Sequence, residues 1–141
     1  MFDTLTLAEI PAEDEALRPA IRSFIDEHVR SLPMPVRARS WMGGDVAFSR
    51  AMGKAGFLGL TVPKQYGGGG RGPFARFVVV EELLSAGAPV GFHWIGDRQS
   101  ALMIHNFGTE AQREFYLPKI CSGEIFFCIG MSEPGDRKSV V

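Results

Sequence analysis

Residues 123–135, GEIFFCIGMSEPG, decide how the chain is read. Ile125 to Ile129 are mostly apolar and strand-prone, and they lead into Met131-Ser132-Glu133-Pro134-Gly135. Pro134-Gly135 is a strong turn signal, because a proline cannot continue a central strand. The predicted strand ends by presenting a hydroxyl and a carboxylate just before the turn. That is a common way to build a binding-site rim, and it is also the chemistry of an ordinary strand and turn.

Beyond that turn, residues 136–141 (DRKSVV) carry no hydrophobic period. They equal the translation of GAT CGG AAG AGC GTC GTG, a widely used sequencing-adapter oligonucleotide whose next codon is a stop. The expectation is a native reading that ends near Gly135, with 136–141 a non-native tail set aside from the fold.

Upstream of the strand, helices dominate. Leu17, Ile21, Phe24, Ile25, Val29 and Leu32 recur at helical spacing and define one amphipathic face. Pro19 is tolerable only in a first turn, so this helix starts near Arg18 or kinks there, and Leu32-Pro33 ends it. Asp45 is placed to cap a second helix with Phe48, Met52 and Ala55 inward and Gly56 as its stop. Residues 74–84 are apolar apart from Arg76, Glu81 and Glu82, which predicts a buried helix broken at Gly87-Ala88-Pro89. A further helix spans about 92–106, closed by Gly108 as a left-handed cap. Thr109 and Gln112 form a capping box that opens a helix terminated by Leu117-Pro118.

Composition bounds the function. A chain of 141 residues is one domain with room for a real core. Apolar residues make up 45% and charged residues 22%, with a formal net charge of −1. That balance argues against nucleic-acid or membrane-surface binding. No apolar run approaches a membrane span, and the acidic start suits neither a secretory signal nor an Arg-rich transit segment, which points to the cytoplasm. Cys121 and Cys128 fit no zinc pattern and read as buried thiols.

Chemistry is sparse in the helical part. The four glycines 67–70 do not follow the spacing of a phosphate-binding loop and read as a flexible connection. His28 and His105 read as solvated or core-edge residues. Residues 91–99 differ, placing two aromatics, an imidazole, an acid and a base within two helical turns. Trp94 and Arg98 are four apart and share a face. They are either a substrate-pocket wall or a packed Trp with Asp97 and Arg98 in structural ion pairs. No nucleophile–base set, carboxylate pair or metal-ligand cluster stands out.

The order of signals resembles the N-terminal portion of the acyl-CoA dehydrogenase family. The resemblance rests on Gly56-Phe57-Leu58-Gly59-Leu60, Val62-Pro63-Lys64-Gln65-Tyr66-Gly67-Gly68, Glu81-Glu82-Leu83 and Phe107-Gly108-Thr109-Glu110-Ala111-Gln112. Tyr116-Leu117-Pro118, Ser122-Gly123-Glu124 and Met131-Ser132-Glu133-Pro134-Gly135 complete it. It covers almost everything from Leu17 to Gly135.

What the resemblance implies is an all-α N-terminal domain (a helical bundle, 1–124) followed by the start of a β-domain (its first strand, 125–135), with the C-terminal helical bundle missing. It implies oxidation of an acyl-CoA to the trans-2-enoyl-CoA, with a carboxylate base taking the α-proton and hydride passing to FAD. Ile129, Met131 and Ser132 fall at flavin-contact positions, and Trp94 and Arg98 lie on the helix that lines the acyl pocket. The implied partners are an acyl-CoA substrate, an electron-accepting flavoprotein and, at full length, further subunits of an oligomer.

Two departures matter. The family's small-residue run and Ser-Asp after Glu-Pro-Gly are replaced from Asp136 onward, and its catalytic carboxylate lies in the missing bundle. Neither Glu81 nor Glu133 takes that role, and the fragment itself is expected to be inactive. The family's usual Thr is Ser132, which keeps the hydroxyl. The competing reading is a stand-alone helical binding or interaction module.

Overall fold

The computed structural model describes residues 8–130. A short helix α1 (Ala12–Glu15) precedes α2 (Arg18–His28), whose second residue is Pro19, in the first turn where its missing N–H has no helical partner to lose. Ile21, Phe24 and Ile25 of α2 are buried. The chain does not stay irregular after Leu32: Pro35 sits in the first turn of a further short helix, α3 (Met34–Arg39). Asp45 caps α4 (Val46–Lys54) by accepting from the Phe48 N–H at 2.7 Å. Phe48 and Met52 are buried, whereas Ala55 lies just past the helix end and is exposed. Gly56 follows with φ +75°, the left-handed turn that stops the helix.

α5 (Pro73–Ala86) is the central helix, with Ala75, Val78, Val79 and Leu83 buried and Gly87 as its left-handed cap. The single helix expected over about 92–106 is interrupted. α6 (Gly91–Ile95) and α7 (Ala101–Phe107) are joined by one π-helical turn, Gly96–Ser100. Gly108 is not left-handed: its φ of −72° and ψ of 157° are extended. A Cβ there would lie 2.5 Å from the Ile104 carbonyl oxygen, so the glycine answers a close backbone approach.

The capping box of α8 (Glu110–Cys121) is present in both directions. The Thr109 hydroxyl accepts from the Gln112 N–H, and the Thr109 N–H donates to Gln112 Oε1 at 2.8 Å. Pro118 does not end this helix. It removes one N–H near the C-terminus, while burial of Leu117, Ile120 and Cys121 on one face holds the last turn in place.

Two apolar clusters form the core. One joins α2, α4 and α5 through Ile21, Phe24, Met52, Val79 and Leu83; the other joins Val62, Tyr66 and Ala101 to the buried face of α8. Arg18 holds α1 and α2 against α5, donating to Glu15 at 2.6 Å, Glu81 at 2.6 Å and Glu82 at 2.9 Å. Hydrogen bonds from Arg22 and then Arg18 hold the Glu82 carboxyl down at about 2.

The four glycines are not a loose connection. Gly69 N–H donates to Gly59 O, Gly70 N–H to Val62 O and Arg71 N–H to Leu60 O, each within 2.8–2.9 Å. A Cβ on Gly68 would sit 2.2 Å from the Val62 carbonyl oxygen, so the loop is a close-packed return of the chain.

The expected start of a β-domain is not seen. Among the described residues there is no strand, only an isolated bridge between Gly44 and Val90. Residues 125–130 have no ladder partner there, and a strand exists only as part of a hydrogen-bonded pair. The side chains still alternate. Ile125 and Phe127 pack on the second cluster, while Phe126 stacks on Phe92 of α6 with ring centroids 4.4 Å apart. Cys121 is buried, but Cys128 is exposed, against the expectation of two buried thiols. The turn at Pro134-Gly135 and the tail 136–141 lie outside the described residues.

Candidate functional site

A cleft of about 220 Å³ opens between α5 and the α6–π-turn segment. Its apolar wall comes from Met52, Leu58, Val79 and Leu83, all core residues whose buried sides face the first cluster. Its polar groups are Arg76 from α5 and His93, Asp97 and Arg98 from the helix opposite. Phe77 and Trp94 also line it and remain substantially exposed, 50% and 36%.

The π turn explains how two adjacent polar residues take opposite tasks. A π turn inserts one extra residue and re-aims the side chains around it. Asp97 turns inward, 6% exposed, and its Oδ1 accepts the Gly59 N–H at 2.9 Å. Arg98 turns outward, and its guanidinium lies 4.1 Å from the centroid of the Trp94 ring. The shared face of Trp94 and Arg98 read from their spacing is therefore present. Among the described residues Asp97 and Arg98 are not paired with each other; the Asp97 carboxylate takes the Gly59 N–H and feels the charge of Arg76.

Burial pushes the Asp97 carboxyl above its ordinary value, opposed by the Gly59 hydrogen bond and by the charge of Arg76. Desolvation pulls His93 down to about 4, so its imidazole is neutral at physiological pH. Its Nε2 lies 3.5 Å from Ser49 Oγ, which itself donates to the Asp45 carbonyl at 2.8 Å. His28 lies against Phe24 at 4.4 Å, and His105 lies against Tyr66 at 6.2 Å, neither of them in the cleft.

Of the positions that the family resemblance implies for flavin contact, Ile129 is 46% exposed at the end of the described segment. Met131 and Ser132 lie outside the described residues. Phe126 joins the segment that carries Ile129 to the helix that carries Trp94, through Phe92. Glu81 does not line the cleft, and its carboxylate accepts from Arg18. Among the described residues no group of three or more His, Cys, Asp or Glu could hold a metal, and no helix is long and apolar enough to cross a membrane.

Sequence reading had noted Arg76 only as a break in an apolar helix. The signal was there, since it is the one basic residue between Phe74 and Leu84. By spacing alone Asp97 is one of two open partners for Arg98, and nothing in the one-dimensional pattern points to Gly59, 38 residues away.

An all-helical domain with an apolar cleft, polar at one wall and flanked by an extended aromatic segment, defines the class. Residues 11–124 match the family described as acyl-CoA dehydrogenase, N-terminal domain, and the chain belongs to that oxidoreductase family. It is 35% identical over 132 residues to the mitochondrial isovaleryl-CoA dehydrogenase of Pongo abelii, covering 92% of this chain and 31% of that protein. The solved "Tcur3481-Tcur3483 steroid ACAD" matches with a TM-score of 0.70 at 34% identity, over 93% of this chain and 34% of that one. The ChsE4-ChsE5 complex from Mycobacterium tuberculosis matches with a TM-score of 0.70 at 32% identity, over 94% and 33%. The chain thus spans about a third of the length of the relatives it matches.

Proposed function

We propose that this chain is the N-terminal helical portion, 1–124, of a flavin-dependent acyl-CoA dehydrogenase, with 125–135 the segment that would become the first strand of a middle domain once a neighbouring strand is there to pair with it. The enzyme oxidises an acyl-CoA to its trans-2-enoyl-CoA. The observation that carries the reading is the cleft between α5 and α6, apolar on one wall and bounded by Trp94 and Arg98 on the other. The apolar wall suits the hydrocarbon part of an acyl group, and Trp94 with Arg98 over it lines the opposite side.

FAD fits the adjoining segment. Ile129 offers an exposed apolar contact, and among the described residues the backbone groups of 126–130 have no backbone partner. Exposed apolar surface beside free backbone donors and acceptors suits a flat ring with a polar edge. Ile129, Met131 and Ser132 would hold that edge, the Ser132 hydroxyl being a group that can hydrogen-bond it. When bound, FAD supplies the acceptor for the β-hydride. This chain's residues bind and orient, and Glu81, tied to Arg18, is not the base that takes the α-proton.

The substrate side is bulky or polar-substituted. Arg76, His93, Asp97 and Arg98 give the cleft more polarity than a straight alkyl chain needs, and one matched structure is titled a steroid ACAD. The reaction passes electrons on to an acceptor such as a flavoprotein, and association with further subunits is in keeping with the two-component titles of the matched structures.

The test extends the native reading frame past Gly135 to the length of the relatives and purifies the product. Visible flavin absorbance that bleaches anaerobically on adding an acyl-CoA is expected, whereas the 141-residue chain alone should purify without stoichiometric flavin. A folded, extended protein that holds no flavin, or holds flavin that no acyl-CoA bleaches, overturns the reading in favour of a helical binding module.

A further inference from the structure

Resting on that reading of the cleft as the acyl pocket, we propose that Arg76 is a specificity-determining residue that receives a neutral oxygen, oxo or hydroxyl, carried on the acyl chain. Arg76 lines the cleft, and its Nη1 is shielded from solvent with no hydrogen-bond acceptor among the described residues. A guanidinium cannot shed its charge, and a desolvated donor without an acceptor is unfavourable until one arrives.

The other polar groups of the cleft are already occupied. Asp97 Oδ1 holds the Gly59 N–H, Arg98 lies on the Trp94 ring, and His93 faces Ser49. Arg76 is left with an unmet donor beside the apolar wall of Met52, Leu58 and Leu83. The complementary ligand is therefore a hydrocarbon bearing an acceptor. Arg76 and Asp97 share the cleft and attract one another, so the guanidinium's charge already has an answer while its Nη1 donor does not, which suits a neutral oxygen rather than a second acid.

The experiment compares kcat/KM in the extended enzyme for octanoyl-CoA, its 5-, 6- and 7-oxo derivatives, and the mono-CoA ester of octanedioic acid. At least one oxo derivative should be preferred to octanoyl-CoA by roughly 10- to 100-fold, as expected for a hydrogen bond to a charged group. Arg76→Met should bring that ratio to about one, and Arg76→Lys should keep part of it. If Arg76→Met does not fold, Arg76→Gln carries the comparison, a reduced ratio supporting the proposal and an unchanged one overturning it. A wild-type enzyme with no oxo preference, a preference for the dioic ester, or a ratio untouched by Arg76→Met overturns the role of Arg76 alone. No turnover of any acyl-CoA overturns the acyl-pocket reading and this proposal with it.

Discussion

The Gly59 N–H donates to Asp97 Oδ1 at 2.9 Å, tying the loop after α4 to the π turn between α6 and α7. Both residues are buried, so the bond is the amide's satisfaction as well as the carboxylate's. Asp97→Ala leaves that N–H unpaired and should destabilise the chain by about 1–3 kcal/mol. Asp97→Asn keeps an acceptor and should lose less. The sign of the pH dependence follows from burial. Asp97 titrates above its ordinary 3.8 when folded, so its ionisation opposes folding increasingly as pH rises past 3.8, up to the folded value. Asp97→Asn should therefore gain on the native protein as pH rises through that window, read from denaturant midpoints. A constant difference across pH would show that the carboxyl is not desolvated.

His93 carries the opposite charge logic. Its folded value of about 4 lies below the ordinary 6.5, so the unfolded chain binds the proton more readily. The stability from keeping this imidazole neutral is fully present above 6.5 and is lost as pH falls toward 4. His93→Gln should flatten the stability profile between those values. Comparing urea unfolding of the two proteins at pH 7 and pH 4.5 checks it, and parallel profiles would place the titration elsewhere.

Gly53 sets propensity against packing. In an open helix Gly→Ala stabilises by up to about 1 kcal/mol. Here a Cβ would lie 2.2 Å from the Ser122 carbonyl oxygen, a backbone atom with little freedom to yield. Gly53→Ala should lose about 1–3 kcal/mol. Gly96→Ala, whose Cβ meets nothing within 4 Å, should be neutral or stabilising. A stabilised Gly53→Ala would mean that α4 and the turn after α8 do not pack this closely.

Arg98 over Trp94 is a half-open cation–π contact worth about 0.5–1 kcal/mol. Arg98→Ala should leave the melting temperature nearly unchanged and, in the extended enzyme, shift the relative kcat/KM among acyl-CoAs. A melting temperature lowered by many degrees with the substrate ranking intact would make Arg98 structural.

Local chemistry alone determined much of this protein. The Asp45 cap, the Thr109–Gln112 box, Pro19 in a first turn and the apolar period through Ile21, Phe24 and Ile25 were legible because each depends on residues within one or two turns, although α2 ends at His28, short of the expected Leu32-Pro33. Only the tertiary structure decided the rest. Pro118 stays helical because Leu117, Ile120 and Cys121 are buried beside it. The glycines 67–70 are held in place because the carbonyls of Lys64, Pro63, Gly59 and Val62 accept their hydrogen bonds, and residues 125–130 form no strand without a neighbour to pair with. The cleft belongs to the same class: Arg76 and Asp97 are 21 positions apart in the sequence, and it is the packing of α5 against the π turn that makes them one site. Contacts between distant segments leave no period in a sequence, so their geometry appears only when the chain is folded.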